Sequence, residues 1–227
     1  MIKTININKL FDKIEVKTRA LENVNIEINN GEFIAITGPS GSGKTSLLNL
    51  IGLLDTIDSG NLFFDGVNIS NLNERARTKF RRENIGFIFQ DFNLIKELTV
   101  FENIELPLLY LGIKHKERKS KVLNLLEKIN LLHKKNSFPK ELSGCQQQKV
   151  AIARAVISNP KIILADEPTG NLDSHSSEEI ISLLQELNSE GATILIATHS
   201  TLCAEKAQRA IRVFDGKIVT ENIIKPN

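Results

Sequence analysis

Phe33-Ile34-Ala35-Ile36-Thr37-Gly38-Pro39-Ser40-Gly41-Ser42-Gly43-Lys44-Thr45-Ser46 is the stretch that decides the fold. Its first four residues form a short apolar run, as expected of a buried strand, and Thr45 to Leu54 reads as a helix. Between them, Gly38 to Thr45 fits the phosphate-loop (P-loop) pattern, in the strand–loop–helix order that the pattern requires. Glycines let backbone N–H groups converge on phosphate oxygens without Cβ obstruction. The following helix directs its positive end at the same anion. Lys44 is expected to bind β- and γ-phosphates, and the Thr45 hydroxyl to bind Mg²⁺.

A second strand with a chemical end lies further on. Ile162-Ile163-Leu164-Ala165 is apolar and runs into Asp166-Glu167. Ligands of parallel α/β sheets gather outside the carboxyl ends of strands. Asp166 is therefore expected to hold Mg²⁺, directly or through water, and Glu167 to polarise the attacking water. By itself the pair could equally be an acidic loop that starts a helix; beside a phosphate loop it reads as catalytic.

The rest of the chain supplies a frame. Ile2, Ile5 and Ile7 alternate with polar residues as an early strand, and Val24, Ile26 and Ile28 alternate before Asn30-Gly31, which signals a hairpin turn. Asp65-Gly66 and Asp215-Gly216 signal two more hairpins. Ile85 to Phe89 and Ile194 to Ala197 are buried-strand candidates. Leucines and charges recur at helical spacing from Thr99 to Leu132, Ser143 to Ile157 reads as a helix, and another lies near Glu178 to Leu187. Strands alternating with helices argue for an α/β fold with a mostly parallel, covered sheet. The hairpins add an antiparallel β portion, and the helical middle, about 93–158, reads as an inserted subdomain. One domain with lobes is expected over 1–227.

Composition narrows the setting. The chain has 227 residues, is 41% hydrophobic and carries a net charge of +2, too near balance to argue for a nucleic-acid surface. Cys145 and Cys203 lack the spacing of a metal or redox motif. No apolar run approaches the roughly 20 residues of a membrane helix. Service at a membrane would go through a partner, with no direct insertion.

Further residues carry a resemblance. Leu142-Ser143-Gly144-Cys145-Gln146-Gln147-Gln148 resembles the signature motif of ABC ATPases. Gln90, in Phe87-Ile88-Phe89-Gln90, looks like the Q-loop glutamine, Asn171-Leu172-Asp173 like the D-loop, and His199 like the switch histidine. Phe11 sits where that family usually has an adenine-stacking aromatic. The elements match in order and spacing over nearly the whole chain. Within the family the stretches Arg81 to Gln90, Glu102 to Leu108 and Ala165 to Asp173 are similar to ATPases of lipoprotein-releasing and macrolide-exporter type.

The resemblance implies a P-loop NTPase (RecA-like) core and an ATPase that uses ATP and Mg²⁺. It also implies a homodimer formed on ATP binding, with the P-loop of one copy facing the signature motif of the other, and a separate integral membrane permease. The chain would sit on the cytoplasmic face of the inner membrane and drive export or extraction of a lipoprotein, peptide or drug-like substrate. Coupling to a membrane partner for cell-envelope signalling without transport is the alternative; the motifs describe only the engine. A soluble ABC ATPase acting on nucleic acid or ribosomes usually carries fused cassettes, coiled-coil insertions or basic extensions that this sequence lacks. Glu167, His199 and Lys44 would be catalytic. Phe11, Gly38 to Ser46 (Gly38, Pro39, Ser40, Gly41, Ser42, Gly43, Lys44, Thr45, Ser46), Gln90, Ser143, Gly144, Cys145 and Asp173 would bind ATP. Thr45, Gln90 and Asp166 would hold the metal. Ser143 and Gln146 also read as a helix capping box, and Asp173 as a helix N-terminal acid. Cys145 replaces a usual glycine, either harmlessly on helical backbone or at a cost to hydrolysis. Ser200 follows His199 where many relatives have Asp.

Overall fold

The computed structural model describes residues 1–13 and 16–224. Phe33–Thr37 (β4), Ile162–Asp166 (β8) and Thr193–Thr198 (β9) are apolar on both faces and almost wholly buried, so they must lie mid-sheet with cover on each side. They do. Ile85–Ile88 (β7), β8, β9 and β4 run parallel, joined by a parallel Arg209–Phe214 (β10) and an antiparallel edge strand, Lys217–Ile223 (β11), in the order β11-β10-β4-β9-β8-β7. A second, antiparallel sheet has the order β2-β1-β5-β6, built from Ile2–Lys13 (β1), Val16–Val24 (β2), Ser59–Phe64 (β5) and Val67–Asn68 (β6). Glu27–Ile28 (β3) also pairs with β1.

Strand alternation divides the core. Ile34, Ile36, Leu164, Leu195 and Val213 point to one face, where Lys44–Ile51 (α1) and the antiparallel sheet cover them. Phe33, Ala35, Ile163, Ile194 and Ile196 point to the other, against Ser174–Ser189 (α6) and Thr201–Lys206 (α7). A third apolar cluster lies among Val100–Tyr110 (α3), His115–Lys128 (α4) and Gly144–Val156 (α5), centred on Val100, Ile104, Leu126 and Val150. The α/β class, the mostly parallel sheet and the antiparallel and helical additions are as the sequence led us to expect.

Three local readings need correction. Val24, Ile26 and Ile28 do not share one strand: β2 stops at Val24 and β3 starts at Glu27. The buried Thr4 hydroxyl fills the step, donating to Val24 O (3.1 Å) and accepting Ile26 N–H (2.7 Å). Asn30-Gly31 turns the chain but makes no hairpin, because β3 pairs with β1 while β4 lies between β9 and β10. The all-apolar β4 needs cover on both faces, which an edge hairpin would not supply. The helix after the phosphate loop ends at Ile51, with Leu53 at φ 55. The other two hairpins hold: Asp65-Gly66 (φ 49 and 79) joins β5 to β6, and Asp215-Gly216 (φ 47 and 73) joins β10 to β11, the positive-φ pairs of a primed turn.

Glu74–Asn84 (α2) escaped sequence reading because it is mostly polar, and its one large apolar residue, Phe80, which packs edge-on against Phe64, makes no helical stripe. It is held by arginines: Arg77 and Arg81 donate to Leu53 O, and Arg77 also donates to Asp55 O.

The loop before α3 hangs on one buried amide. Asn103 accepts Ile95 N–H (2.9 Å) and donates to the carbonyls of Ile95, Leu98 and Thr99, each at 3.0 Å. Asn103→Ala strands those backbone groups, and the expected loss of stability is about 3 kcal/mol. Urea unfolding checks this; a loss too small to measure would show that water replaces the amide.

Candidate nucleotide site

Four parallel strands end at one edge. The register sets Thr37 beside Thr198, Asp166 beside Ala197 and Ile88 beside Ala165. The phosphate loop, Asp166-Glu167, His199 and Gln90 thus leave neighbouring strands at the same level, where parallel α/β sheets bind ligands. A cavity of about 870 Å³ opens there, lined among others by Phe11, Ser40, Gly41, Lys44, Thr45 and Glu167. Gly43, Ser46, Gln90 and His199 also reach it.

The loop is wedged in place. Gly43 has φ +106, and a Cβ there would lie 2.5 Å from Ala20 O; at Gly38 (φ +150) it would lie 2.1 Å from Val213 O. Only glycine fits where the loop passes between β2 and β10. Pro39 and Ser40 are exposed, and the Ser42 hydroxyl is buried without a hydrogen-bond partner. Lys44 is 5% exposed and donates to Gly38 O (3.0 Å) and Pro39 O (3.1 Å) of its own loop. Burial pushes its pKa down, while Glu167 and Asp166 push it up.

The carboxylates differ. Asp166 accepts the Thr45 hydroxyl at 3.1 Å. Burial raises its pKa, the Thr45 hydrogen bond opposes that, and Glu167 adds to the rise. Glu167 adopts φ 45, uncommon for a residue with a side chain. Its N–H bonds Ala197 O (2.9 Å) and its carbonyl accepts Gly170 N–H (3.0 Å). Its Oε2 accepts His199 N–H (3.1 Å). Its Oε1 is buried and has no donor, although His199 Nε2 is 3.3 Å away. Lys44 Nζ is 3.2 Å from the same Nε2. A charged ammonium only donates, so a hydrogen bond between the two would make Nε2 its acceptor. Oε1 is left as a buried acceptor without a donor beside the cavity.

Gln90 donates to Asn171 Oδ1 (3.3 Å), and Asn171 donates to Gln90 O and Asp91 Oδ1. Phe11 is 40% exposed at the cavity mouth, with Lys9 Nζ 5.4 Å from its ring centroid. Lys9 is itself pinned by Asp55 and Thr56 O.

Ser143, Gly144, Cys145 and Asp173 do not line this cavity. Ser143 caps α5: its hydroxyl accepts Gln146 N–H (3.3 Å) while the Gln146 side chain returns to Ser143 N–H (3.1 Å). Cys145 lies in the first turn of α5, outside the positive-φ positions, so its Cβ carries no backbone strain. Asp173 caps α6, and its hydrogen bonds from Ser176 lower its pKa. Ser200, in place of the usual Asp, caps α7.

Sequence reasoning missed Arg19, Ala20, Thr169, Gly170, Ser177 and Asp215, which also line the cavity. Arg19 arrives because β2 folds back on β1, pairing Arg19 with Leu10, and no local pattern marks it. At Gly170 the signal is steric, since a Cβ would lie 2.8 Å from the Gln90 side chain.

The Thr45 hydroxyl and Asp166 carboxylate together are a hard oxygen pair that suits Mg²⁺, which takes few protein ligands and fills its shell with water and phosphate oxygens. No three His, Cys, Asp or Glu side chains converge as a metal cage among the described residues.

A family model described as ABC transporter matches residues 21–170. An uncharacterized ABC transporter ATP-binding protein of Methanocaldococcus jannaschii is 48% identical over 219 residues, covering 96% of this chain and 98% of that protein. The macrolide export ATP-binding/permease protein MacB of Campylobacter jejuni is 49% identical over 201 residues, covering 88% of this chain; the chain spans 31% of that protein's length. The dimeric post-hydrolysis structure of the ATP-binding cassette MJ0796, bound to ADP and Pi, matches with a TM-score of 0.92 at 43% identity over 100% of both chains.

Proposed function

The chain belongs to the ABC transporter family, and from that premise we propose that it is the ATP-binding and ATP-hydrolysing subunit of a transporter complex, exporting or extracting a lipoprotein, peptide or drug-like substrate through a separate permease. The observation that carries this is the meeting of Lys44, Glu167, His199 and Gln90 on one cavity, with the Ser143 helix start left outside it. A triphosphate held by one copy would then meet the Ser143 turn of a second, a two-fold contact that closes on itself.

In this reading the phosphate loop and α1 hold the phosphates, and Lys44 leaves its own loop carbonyls for the β- and γ-oxygens. Thr45, Asp166 and Gln90 would hold Mg²⁺, which would supply neutralisation of the phosphate charge. Glu167 orients the attacking water and takes its proton at the donor-free Oε1. His199 turns from Lys44 toward the γ-phosphate. Phe11 stacks on the adenine. Ser143 accepts an N–H within its own helix start, so its hydroxyl proton is free to reach a partner's γ-phosphate. Gly144 and Cys145 bring the first-turn N–H groups of α5 to the same oxygens, and Asp173 acts across the dimer.

Residues 93–158 form the helical lobe of the single domain. Between that lobe and the core runs a groove of about 600 Å³, lined by Phe87, Phe89, Leu106, Pro107, Tyr110 and Arg154. Tyr110 is largely exposed there. A permease helix seated in it would feel Gln90 respond to ATP, and would place the chain at the cytoplasmic face of the membrane. No helix among the described residues is long and apolar enough to cross a bilayer.

Ser143→Arg is the test. A guanidinium at the helix start blocks the second copy's nucleotide without touching the cavity. Sedimentation of the hydrolysis-deficient Glu167→Gln chain with Mg-ATP should show loss of the dimer when Ser143→Arg is added, while nucleotide binding to the monomer stays within about twofold, since that site is remote from the change. A variant that still dimerises would remove Ser143 from the interface.

A further inference from the structure

The side chain of Cys145, where the signature motif usually has glycine, is engaged. Its Sγ donates to Glu179 Oε2 at 3.0 Å, and Lys149, one turn further along α5, donates to Glu179 Oε1 at 2.6 Å. One α6 carboxylate therefore takes two hydrogen bonds from α5, one of them from its first turn. The two helices so tied are those capped by Ser143 and by Asp173. Burial, then the Glu179 hydrogen bond and charge, push the Cys145 thiol up to about 11, against smaller opposing effects of Lys149 and Ser176. The thiol thus stays a protonated donor at neutral pH, and the acceptor it needs is Glu179, itself held low by Lys149 and Cys145.

A thiol has three staggered rotamers where glycine has none. An untethered Cys145 would spread its sulfur among them beside the N–H groups of the first turn. We infer that Glu179 is a positioning residue for the dimer-facing turn, holding the Cys145 side chain against α6 so that the turn stays open to the nucleotide of a second copy. This rests on the reading that the Ser143–Cys145 turn meets such a nucleotide. The tether itself does not.

The test has two arms. In the first, the native chain is alkylated with iodoacetamide at mildly alkaline pH and mapped by mass spectrometry. Glu179→Ala removes both the acceptor and the negative charge, so the thiolate fraction rises and Cys145 reacts faster, by roughly tenfold for each unit its pKa falls. Cys203 is 0% exposed, so labelling there reports unfolding instead. In the second arm, Mg-ATP-dependent dimerisation is measured on the hydrolysis-deficient Glu167→Gln chain. Adding Glu179→Ala should raise the dimer Kd roughly two- to tenfold, the range set by one lost hydrogen bond. With Cys145→Gly also present, the same change should cost less than about twofold, because the coupled partner is gone. Glu179→Gln, which keeps an acceptor oxygen, should recover most of the affinity.

Unchanged alkylation overturns the tether. An equal dimer penalty with and without the cysteine overturns the positioning role and leaves Glu179 as a partner of Lys149 only. A parent that never dimerises sinks the functional reading, and the alkylation arm still decides the tether.

Discussion

Glu167→Gln should bind Mg-ATP with near-normal affinity and hydrolyse it at least about 100-fold more slowly, the range expected when a positioned general base is lost. The geometry gives the reason. Glu167 is held at φ 45 by bonds through its N–H and carbonyl, and His199 N–H fixes Oε2. That leaves Oε1 as a buried acceptor without a donor. An unmatched buried acceptor costs stability, and the cost is recovered when a water donates to it. The amide keeps the shape but loses the charge that polarises that water and accepts its proton. Because binding survives and the chemical step does not, the ATP-bound dimer should accumulate. Phosphate release and size-exclusion chromatography with Mg-ATP check the two halves. Unchanged turnover would take Glu167 out of the role, and a slow enzyme that never dimerises would break the two-copy sandwich.

Lys44→Ala should reduce ATP turnover to background and weaken ATP binding by tenfold or more, on the order of one charge-assisted hydrogen bond. Lys44 is buried at the head of α1, tethered to two carbonyls of its own loop, and its ammonium is partly desolvated. A triphosphate offers it a better partner than a peptide carbonyl, so binding exchanges one set of contacts for a stronger one. Alanine abolishes that exchange and leaves the Gly38 and Pro39 carbonyls without their donor. Lys44→Arg keeps the charge but not the compact ammonium, and should recover binding better than turnover. Fluorescent-nucleotide titration and a phosphate assay separate the two; near-normal turnover of Lys44→Ala would overturn the assignment of the loop.

Much of the site was legible because local chemistry marks it. Gly38 to Thr45 has few other uses for its glycines, and Ile162 to Glu167 declares an apolar strand with acids at its end. The continuous apolar runs of β4, β8 and β9 marked them as buried strands, but which residue faces which core is settled only by the packing. Other features were illegible for definite reasons. α2 is mostly polar, with Phe80 as its one large apolar residue, and is held by Arg77 and Arg81 on Leu53 O, a contact across more than 20 positions in sequence. Asn30-Gly31 looks like a hairpin turn because turn chemistry is local, whereas strand partners are chosen by burial of the whole strand. Arg19 enters the cavity only because β2 doubles back on β1.

By itself, the sequence determined the kind of chemistry. Residue types at the phosphate loop, the acid pair and the Ser143 cap are fixed by what phosphate oxygens and orphan helix N–H groups require, and those requirements act over a few neighbouring residues. Only the tertiary structure decided how the groups share their protons and which of them meet. Lys44, Glu167 and His199 lie far apart in the chain; their contacts exist because parallel strands in register end at one level. The same is true of Cys145, whose helical backbone and bond to a carboxylate 34 residues away are seen only in the folded chain. Pairwise contacts at that range follow from packing, which no short stretch of sequence encodes.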